Sequence, residues 1–416
     1  MPRQPMSGRN LCTLLEDLSL GALLRVMPTA LVQEALAATD RQSQRYRLLP
    51  AATVVYLVLM LAVRADVSIK ENLRGLLEGL RRQFGWRRVR VPKGTAVSAA
   101  RQRLGAAPLA WLFARMAHPL ARRDQPGAFW RHWRVMAIDG TTVEVQHTAA
   151  NCATFGLPRN QYGAAGYPQV KLVALLECGT RAIIAWVHGP SRSDEATLGD
   201  ELLPHLAPDM LLLADRGYYS FARWRDAAAR AGALVWRVKA TLKLKRLKEL
   251  DDGSFLARVR PSAKLCRKGL AQPDETAVVR VIEYVPVLAD GTRGETVRLL
   301  TTILDPALAS ALDLAQLFPQ RWSIEVGFDE VKTHLRGRDR VLRSQRPDLV
   351  VQELHGFFLA YFAIRATMAE AAALGGVAPT RLSFTHAVNV IRRQAVPFPP
   401  GAEVGPSVCE HSPGNP

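Results

Sequence analysis

Three short segments of this 416-residue sequence carry acidic side chains where they could hold a cation. Asp139 closes the run Val135-Met-Ala-Ile-Asp139-Gly-Thr-Thr, and Asp215 closes Met210-Leu-Leu-Leu-Ala-Asp215-Arg-Gly-Tyr. A carboxylate at the end of a buried strand reaches a crevice at the sheet edge from a rigid backbone, as a divalent-cation ligand must. Asp followed by Gly, or by a polar residue and Gly, is also a plain turn signal, so neither segment decides the matter alone. The third segment is Phe318-Pro-Gln-Arg321-Trp322-Ser-Ile-Glu325-Val-Gly-Phe-Asp-Glu-Val-Lys332. If a helix begins at or near Pro319, then at about 100° per residue Arg321, Glu325 and Lys332 fall within roughly 40° of one another. Phe318 lies close to that stripe and Trp322 beside it. An i, i+4 surface ion pair is the competing reading of Arg321 and Glu325.

Three carboxylates suit two divalent ions, Mg2+ or Mn2+, about 3.5 to 4 Å apart. One activates water or a 3′-hydroxyl, and the other stabilises the leaving oxygen of an in-line displacement at phosphorus. Arg321 and Lys332 would hold the scissile or adjacent phosphates, the first bidentately and the second as a point charge. Trp322 would stack on an unpaired or extruded base, although a helical Trp is as readily a core residue. Asp329 shares the Glu325 face and is the spare acid. Glu144 and Glu177 lie on strands near Asp139 but match no motif, while Asp194, Glu195, Asp200 and Glu201 read as helix-start and surface charges. The nine histidines show no H-E-x-x-H spacing, and Ser191 and Ser193 lack a G-x-S-x-G setting. Zinc hydrolase and esterase chemistry are therefore not indicated.

The elements that must position these groups change character along the chain. Residues 1–125 read as an all-helical N-terminal domain, with segments at Asn10–Val26, Ala30–Ala38, Pro50–Arg64, Ser68–Phe84, Ala96–Leu104 and Ala107–Ala121. Its basic stretch Arg81, Arg82, Arg87, Arg88, Arg90 and Lys93 leads into a short helix bearing Arg101 and Arg103, which suits phosphate contacts or a solvated face. From Arg134 come strand signals at Val135–Val145, Val170–Glu177, Arg181–His188 and Met210–Ala214, with helices at Thr197–Leu203 and Phe221–Gly232. Residues 234–303 read as a β-rich insertion, with strands at Leu234–Ala240, Ala277–Pro286 and Thr296–Leu304. Helices return at Leu314–Leu335 and Leu349–Ala373, and residues 386–416 read as a disordered tail rich in Pro and Gly. The fold class is α/β, with residues 126–233 and 304–385 forming the second domain.

Lys and Arg total 55 against 37 Asp and Glu, a formal charge of +18 that favours a polyanion such as DNA or RNA. Five cysteines, Cys12, Cys152, Cys178, Cys266 and Cys409, form no C-x-x-C pair and fit a reducing cytosol. The N-terminus does not read as a signal peptide. The uncharged run Leu48–Val63 is shorter than the roughly 20 residues that span a bilayer, so it reads as a buried helix.

Taken together, these segments resemble the insertion element 4 family of DDE transposases over roughly residues 10–385. The family's third-carboxylate pattern is Y, two residues, R, three residues, E, six residues, K, and Phe318, Arg321, Glu325 and Lys332 stand at those intervals. The Ile-Asp139-Gly-Thr-Thr and Ala-Asp215-Arg-Gly-Tyr blocks resemble it too, as does Leu342-Arg-Ser-Gln-Arg-Pro-Asp-Leu-Val-Val-Gln-Glu353-Leu-His-Gly. The resemblance implies a ribonuclease H-like catalytic core with the triad Asp139, Asp215 and Glu325 and an N-terminal domain that binds terminal inverted repeats. Double-stranded DNA is then the partner, with a homodimer in the synapse, no membrane, and a cytoplasmic, nucleoid-associated bacterial setting. A ribonuclease H-like nuclease and an inactive DNA-binding descendant are the alternatives. Phe318 departs from the family's Tyr.

Overall fold

A computed structural model describes residues 27–45, 49–84, 91–160, 163–164, 166–287, 290–338 and 340–394. Before Phe129 the described elements are all helices: α1 (Thr29–Ala38), α2 (Ala51–Val63), α3 (Ile69–Phe84), α4 (Gly94–Leu104) and α5 (Ala107–Met116). The expected helix Asn10–Val26 and the arginines at 87, 88 and 90 lie outside the described residues. Every residue of α2 from Ala52 to Val63 is buried, the fate of a helix apolar on all sides.

The helices are followed by β1 (Phe129–Trp130), β2 (Trp133–Glu144), α6 (Ala149–Phe155), the short ribbon β3 (Arg159–Asn160) with β4 (Gly163–Ala164), β5 (Gln169–Glu177) and β6 (Ala182–Pro190). Next come α7 (Glu195–Asp200), β7 (Met210–Ala214), α8 (Phe221–Ala228), β8 (Ala233–Val238), β9 (Lys245–Glu249), β10 (Phe255–Val259), α9 (Ala263–Arg267), β11 (Ala277–Tyr284) and β12 (Val297–Thr301). A ten-stranded mixed sheet runs β6-β5-β2-β7-β8-β12-β11-β10-β9, with β1 pairing β2. β5 and β6 join β2 antiparallel, whereas β2, β7 and β8 are mutually parallel neighbours. All five residues of β7 are buried, as a central parallel strand requires. Each buried leucine there stabilises by about 1.5 to 3 kcal/mol relative to an exposed one, which anchors the strand whose end carries Asp215.

Two expectations are corrected here. The strand at 233–238 pairs in parallel with β7 and so belongs to the sheet's inner order, not to an insertion beginning at 234; α8 supplies the crossover that parallel pairing needs. Beyond it, β12, β11, β10 and β9 extend the same sheet antiparallel. Residues 386–394, expected in a disordered tail, lie instead in α13 (Phe384–Gln394); α10 (Ala311–Leu317), α11 (Ser323–Asp329) and α12 (Pro347–Leu374) precede it. Residues 395–416 lie outside the described residues.

The chain from 311 to 335 is not one regular helix. α10 opens on a capping box: Ser310 Oγ accepts from Asp313 N at 3.1 Å, and Asp313 Oδ2 accepts from Ser310 N at 3.0 Å. Pro319 has no N–H to continue the ladder, and Phe318–Trp322 tighten into a 3-10 turn before α11. Glu330–Leu335 then widen into a π turn, tied down where Glu330 meets Arg365 and accepts from Tyr361 Oη at 3.0 Å. α12 is long and apolar enough to cross a membrane, yet 72% of its most apolar window is buried inside the protein. It packs against α2 so closely that a Cβ on Gly356 would come within 2.7 Å of Val58 Cγ1. The N-terminal helices thus share a core with α12.

Candidate active site

The register of the two parallel central strands sets the two aspartates side by side. Ile138 pairs with Ala214, so Asp139, within β2, and Asp215, just past β7, follow side by side where the parallel pairing ends. Asp139 accepts a hydrogen bond on Oδ1 from Gly140 N at 2.9 Å. Asp215 Oδ1 is sealed from solvent and has no hydrogen-bond partner, its nearest cation being Arg237 Nη1 at 3.9 Å.

Arg321 brings the third carboxylate to this end of the sheet. Its Nη1 donates to Asp139 Oδ2 at 2.8 Å and its Nη2 to Glu325 Oε1 at 3.1 Å. The guanidinium is buried, which makes the fork a clamp between β2 and the start of α11, not a surface i, i+4 pair. Burial pushes the Asp139 carboxyl up to about 6; the Gly140 N–H and Arg321 pull it down, while Glu195 and Glu325 add to the rise.

Glu195 was read from sequence as a surface charge and is corrected by this geometry. It lies against the backbone at Gly140, where any Cβ would collide with its carboxyl group, and Tyr218 Oη donates to its Oε1 at 2.9 Å. No motif signals this, because the contact joins the first turn of α7 to a strand 55 positions earlier in the chain. Asp329, the expected spare acid, is exposed and accepts from Thr333 Oγ1 at 2.6 Å, with His334 beside it. It plays no part in the cluster.

The remaining expected residues divide. Lys332, on the π turn, donates from Nζ to Thr141 Oγ1 at 3.0 Å, and Thr141 lies on the same face of β2 as Asp139 by the period of two. Burial and the nearby Arg336 lower its pKa. Trp322 is 59% exposed, its ring 5.3 Å from the Arg321 guanidinium. Phe318 is 9% exposed and belongs to the hydrophobic core, so the phosphate-facing position expected for it is not the one observed. Arg101 is likewise corrected: it is 4% exposed and donates to Gln352 Oε1 at 2.8 Å, Ser344 Oγ at 3.1 Å and Leu349 O at 3.3 Å. From that buried position it locks α4 to α12. Arg103, two residues on, is exposed. The block 342–356 also has a structural explanation, since Ser344 N and Oγ both donate to Glu353 Oε2.

Among the described residues no three His, Cys, Asp or Glu side chains converge closely enough to enclose a metal ion. The donor set still fits a hard divalent cation: all the acids offer oxygen, Asp215 Oδ1 has no hydrogen-bond partner, and the gap between Asp139 and Glu325 already holds a positive group, the Arg321 guanidinium.

The profile described as Insertion element 4 transposase N-terminal matches residues 17–114, and that described as Transposase DDE domain matches residues 131–363, more than half of the chain. The chain is 27% identical over 366 residues to the transposase InsG for insertion sequence element IS4 of Escherichia coli (strain K12), covering 87% of this chain and 80% of that one. It is 28% identical over 207 residues to the putative transposase InsZ of the same strain, covering 47% and 62%. A solved piggyBac transposase synaptic complex with hairpin DNA is similar at a TM-score of 0.45 and 11% identity, over 91% of this chain and 80% of that one, too loosely to say anything of this chain. The nuclease and the inactive descendant are not favoured beside these transposase matches. The chain belongs to the insertion element 4 family of DDE transposases.

Proposed function

We propose that Asp139, Asp215 and Glu325 are the catalytic, cation-holding triad with which this transposase cuts DNA at the terminal inverted repeats of an insertion sequence and joins the ends to target DNA. The observation that carries this is the Arg321 clamp: it ties together two acids 186 positions apart, next to the strand end that presents Asp215. The strand order β6-β5-β2-β7-β8, three antiparallel strands followed by two parallel ones, supports a ribonuclease H-like core.

Two Mg2+ or Mn2+ ions, held by the three acids, would supply Lewis-acid stabilisation of the attacking and leaving oxygens. This chain's own groups supply position. Arg321, buried between Asp139 and Glu325, has a planar fork of the kind that matches a phosphate. Lys332 presents a point charge along the same face of β2. Trp322, exposed at the rim, offers a ring on which an extruded base can stack. Arg103 contacts duplex phosphate in the N-terminal region, residues 1–125, which recognises the repeats, and pairing two DNA ends calls for two copies of the chain.

The test is to make Asp139→Asn, Asp215→Asn and Glu325→Gln and measure cleavage of terminal-repeat DNA beside its binding. Each variant should lose cleavage and keep binding. One that still cleaves at the wild-type rate in Mg2+ does not carry a triad residue.

A further inference from the structure

Glu195 and Tyr218 form a polar pair that the triad does not use. Glu195 begins α7, whose start is fixed by Asp194 Oδ2 accepting from Thr197 N at 2.8 Å and from Thr197 Oγ1 at 2.7 Å. From there its side chain lies back over β2 against Gly140, the residue after Asp139, and only glycine leaves it room. The Tyr218 hydroxyl fixes the carboxylate in place. Tyr218 is itself buried and is delivered by the turn that starts at Asp215, with Tyr218 N donating to Asp215 O at 3.0 Å.

The charges do not balance. Among the described residues Glu195 makes no ion pair, and the Tyr218 hydroxyl is its only hydrogen-bond partner. Arg321 spends its two terminal nitrogens on Asp139 and Glu325. Asp215 Oδ1, enclosed and without a hydrogen bond, lies at the same end of the sheet. A half-buried carboxylate held beside another repels it unless a cation joins them. Here a buried tyrosine and the contact at Gly140 hold Glu195 near enough to add to the rise of the Asp139 carboxyl, where an ordinary surface glutamate would swing into solvent.

We propose that Glu195, positioned by Tyr218, is a fourth carboxylate of the catalytic centre and adds its charge to divalent-cation binding beside Asp139. The inference rests on the triad reading and extends it: Asp139, Asp215 and Glu325 would not act alone, and Tyr218 would be a positioning residue.

The experiment uses the full-length chain with Mn2+ alone as the cation, its affinity read by electron paramagnetic resonance, and thermal melting in chelator and in Mn2+. Glu195→Gln removes the repulsion and keeps the hydrogen-bond acceptor. It should melt no lower than wild type in chelator, bind Mn2+ about tenfold or more weakly, and gain less from Mn2+ on melting. Tyr218→Phe, which frees the carboxylate without discharging it, should shift Mn2+ affinity in the same direction by less. If Glu195→Gln melts lower in chelator and binds Mn2+ like wild type, the pair is a structural tie and the proposal is wrong. Asp139→Asn separates the two readings. If it loses Mn2+ affinity while Glu195→Gln keeps it, only the fourth carboxylate fails; if both bind like wild type, the triad reading fails with it.

Discussion

Arg321 and Asp139, 182 positions apart in the chain, meet at 2.8 Å, and the guanidinium stands between two acids of the triad. A buried charge pair contributes little net, but removing one partner leaves the other uncompensated, at a cost of about 3 to 5 kcal/mol. Arg321→Ala should therefore be markedly destabilised in chelator and recover more stability on adding Mn2+ than wild type does, because the cation then neutralises acids that nothing else serves. Cleavage should fall by roughly a hundredfold or more, the usual cost of losing a charge-stabilising donor. Melting in chelator and in Mn2+ checks this, and an unchanged melting point in chelator would show that the clamp is not structural.

The raised Asp139 carboxyl sets a pH dependence. Its pKa in the fold, about 6, lies above the roughly 3.9 of an unfolded chain, so between those values the folded state holds more of the proton. This group's contribution to stability is greatest below about pH 4, is lost as pH rises through about 6, and is constant above. In chelator, the stability of Asp139→Asn relative to wild type should climb across that window and then level off. Mn2+ competes with the same proton, so wild-type affinity should weaken as pH falls below about 6. A relative stability that stays flat with pH would put the Asp139 pKa back in the ordinary range.

Two arginines on one short helix should behave oppositely. Arg101 is spent on Gln352, Ser344 and the carbonyl of Leu349, so Arg101→Gln should lower stability by about 2 to 3 kcal/mol. It should leave the salt dependence of DNA binding unchanged in a variant that remains folded. Arg103 is exposed, and Arg103→Ala should change stability by no more than about 0.5 kcal/mol while reducing the salt slope by about one. If Arg101→Gln flattens the slope and Arg103→Ala does not, the helix presents its other face to DNA.

What the sequence made legible was local. The apolar run before Asp215 reveals a strand end, because burial on both faces leaves a continuous Leu signature, whereas the strand whose apolar run closes at Asp139 continues to Glu144 along β5; the two strands prove adjacent and parallel. The spacing of Arg321 and Glu325 reveals their mutual contact. Sequence periodicity does not register the break at Pro319 or the π turn, so Lys332 could be placed on a stripe but not against Thr141. Glu195 was beyond reach for a different reason: its role depends on which strand α7 crosses, a tertiary fact with no spacing of its own. Arg101 looked like a nucleic-acid contact because a basic residue among basic neighbours cannot disclose that a glutamine 251 positions away receives it.

Phe318 tests how far the family's pattern can be carried onto this chain. Where the pattern has Tyr, this chain lacks the hydroxyl, and restoring it would aid cleavage only if the ring faced the phosphate groove. The structure places Phe318 in the core, 9% exposed, in the 3-10 turn that follows α10, with Leu314 and Leu317 of that helix in the same core. A hydroxyl added there without a partner should destabilise the fold by about 1 to 3 kcal/mol, and a ring that does not reach DNA should give no gain in rate. Phe318→Tyr should accordingly melt several degrees lower and cleave terminal-repeat DNA at the wild-type rate, with melting and single-turnover cleavage measured on one preparation well below the melting point. A three- to tenfold faster cleavage at an unchanged melting point, the size of one new hydrogen bond of about 0.6 to 1.4 kcal/mol in the transition state, would instead place this position on the phosphate and the turn in a different orientation.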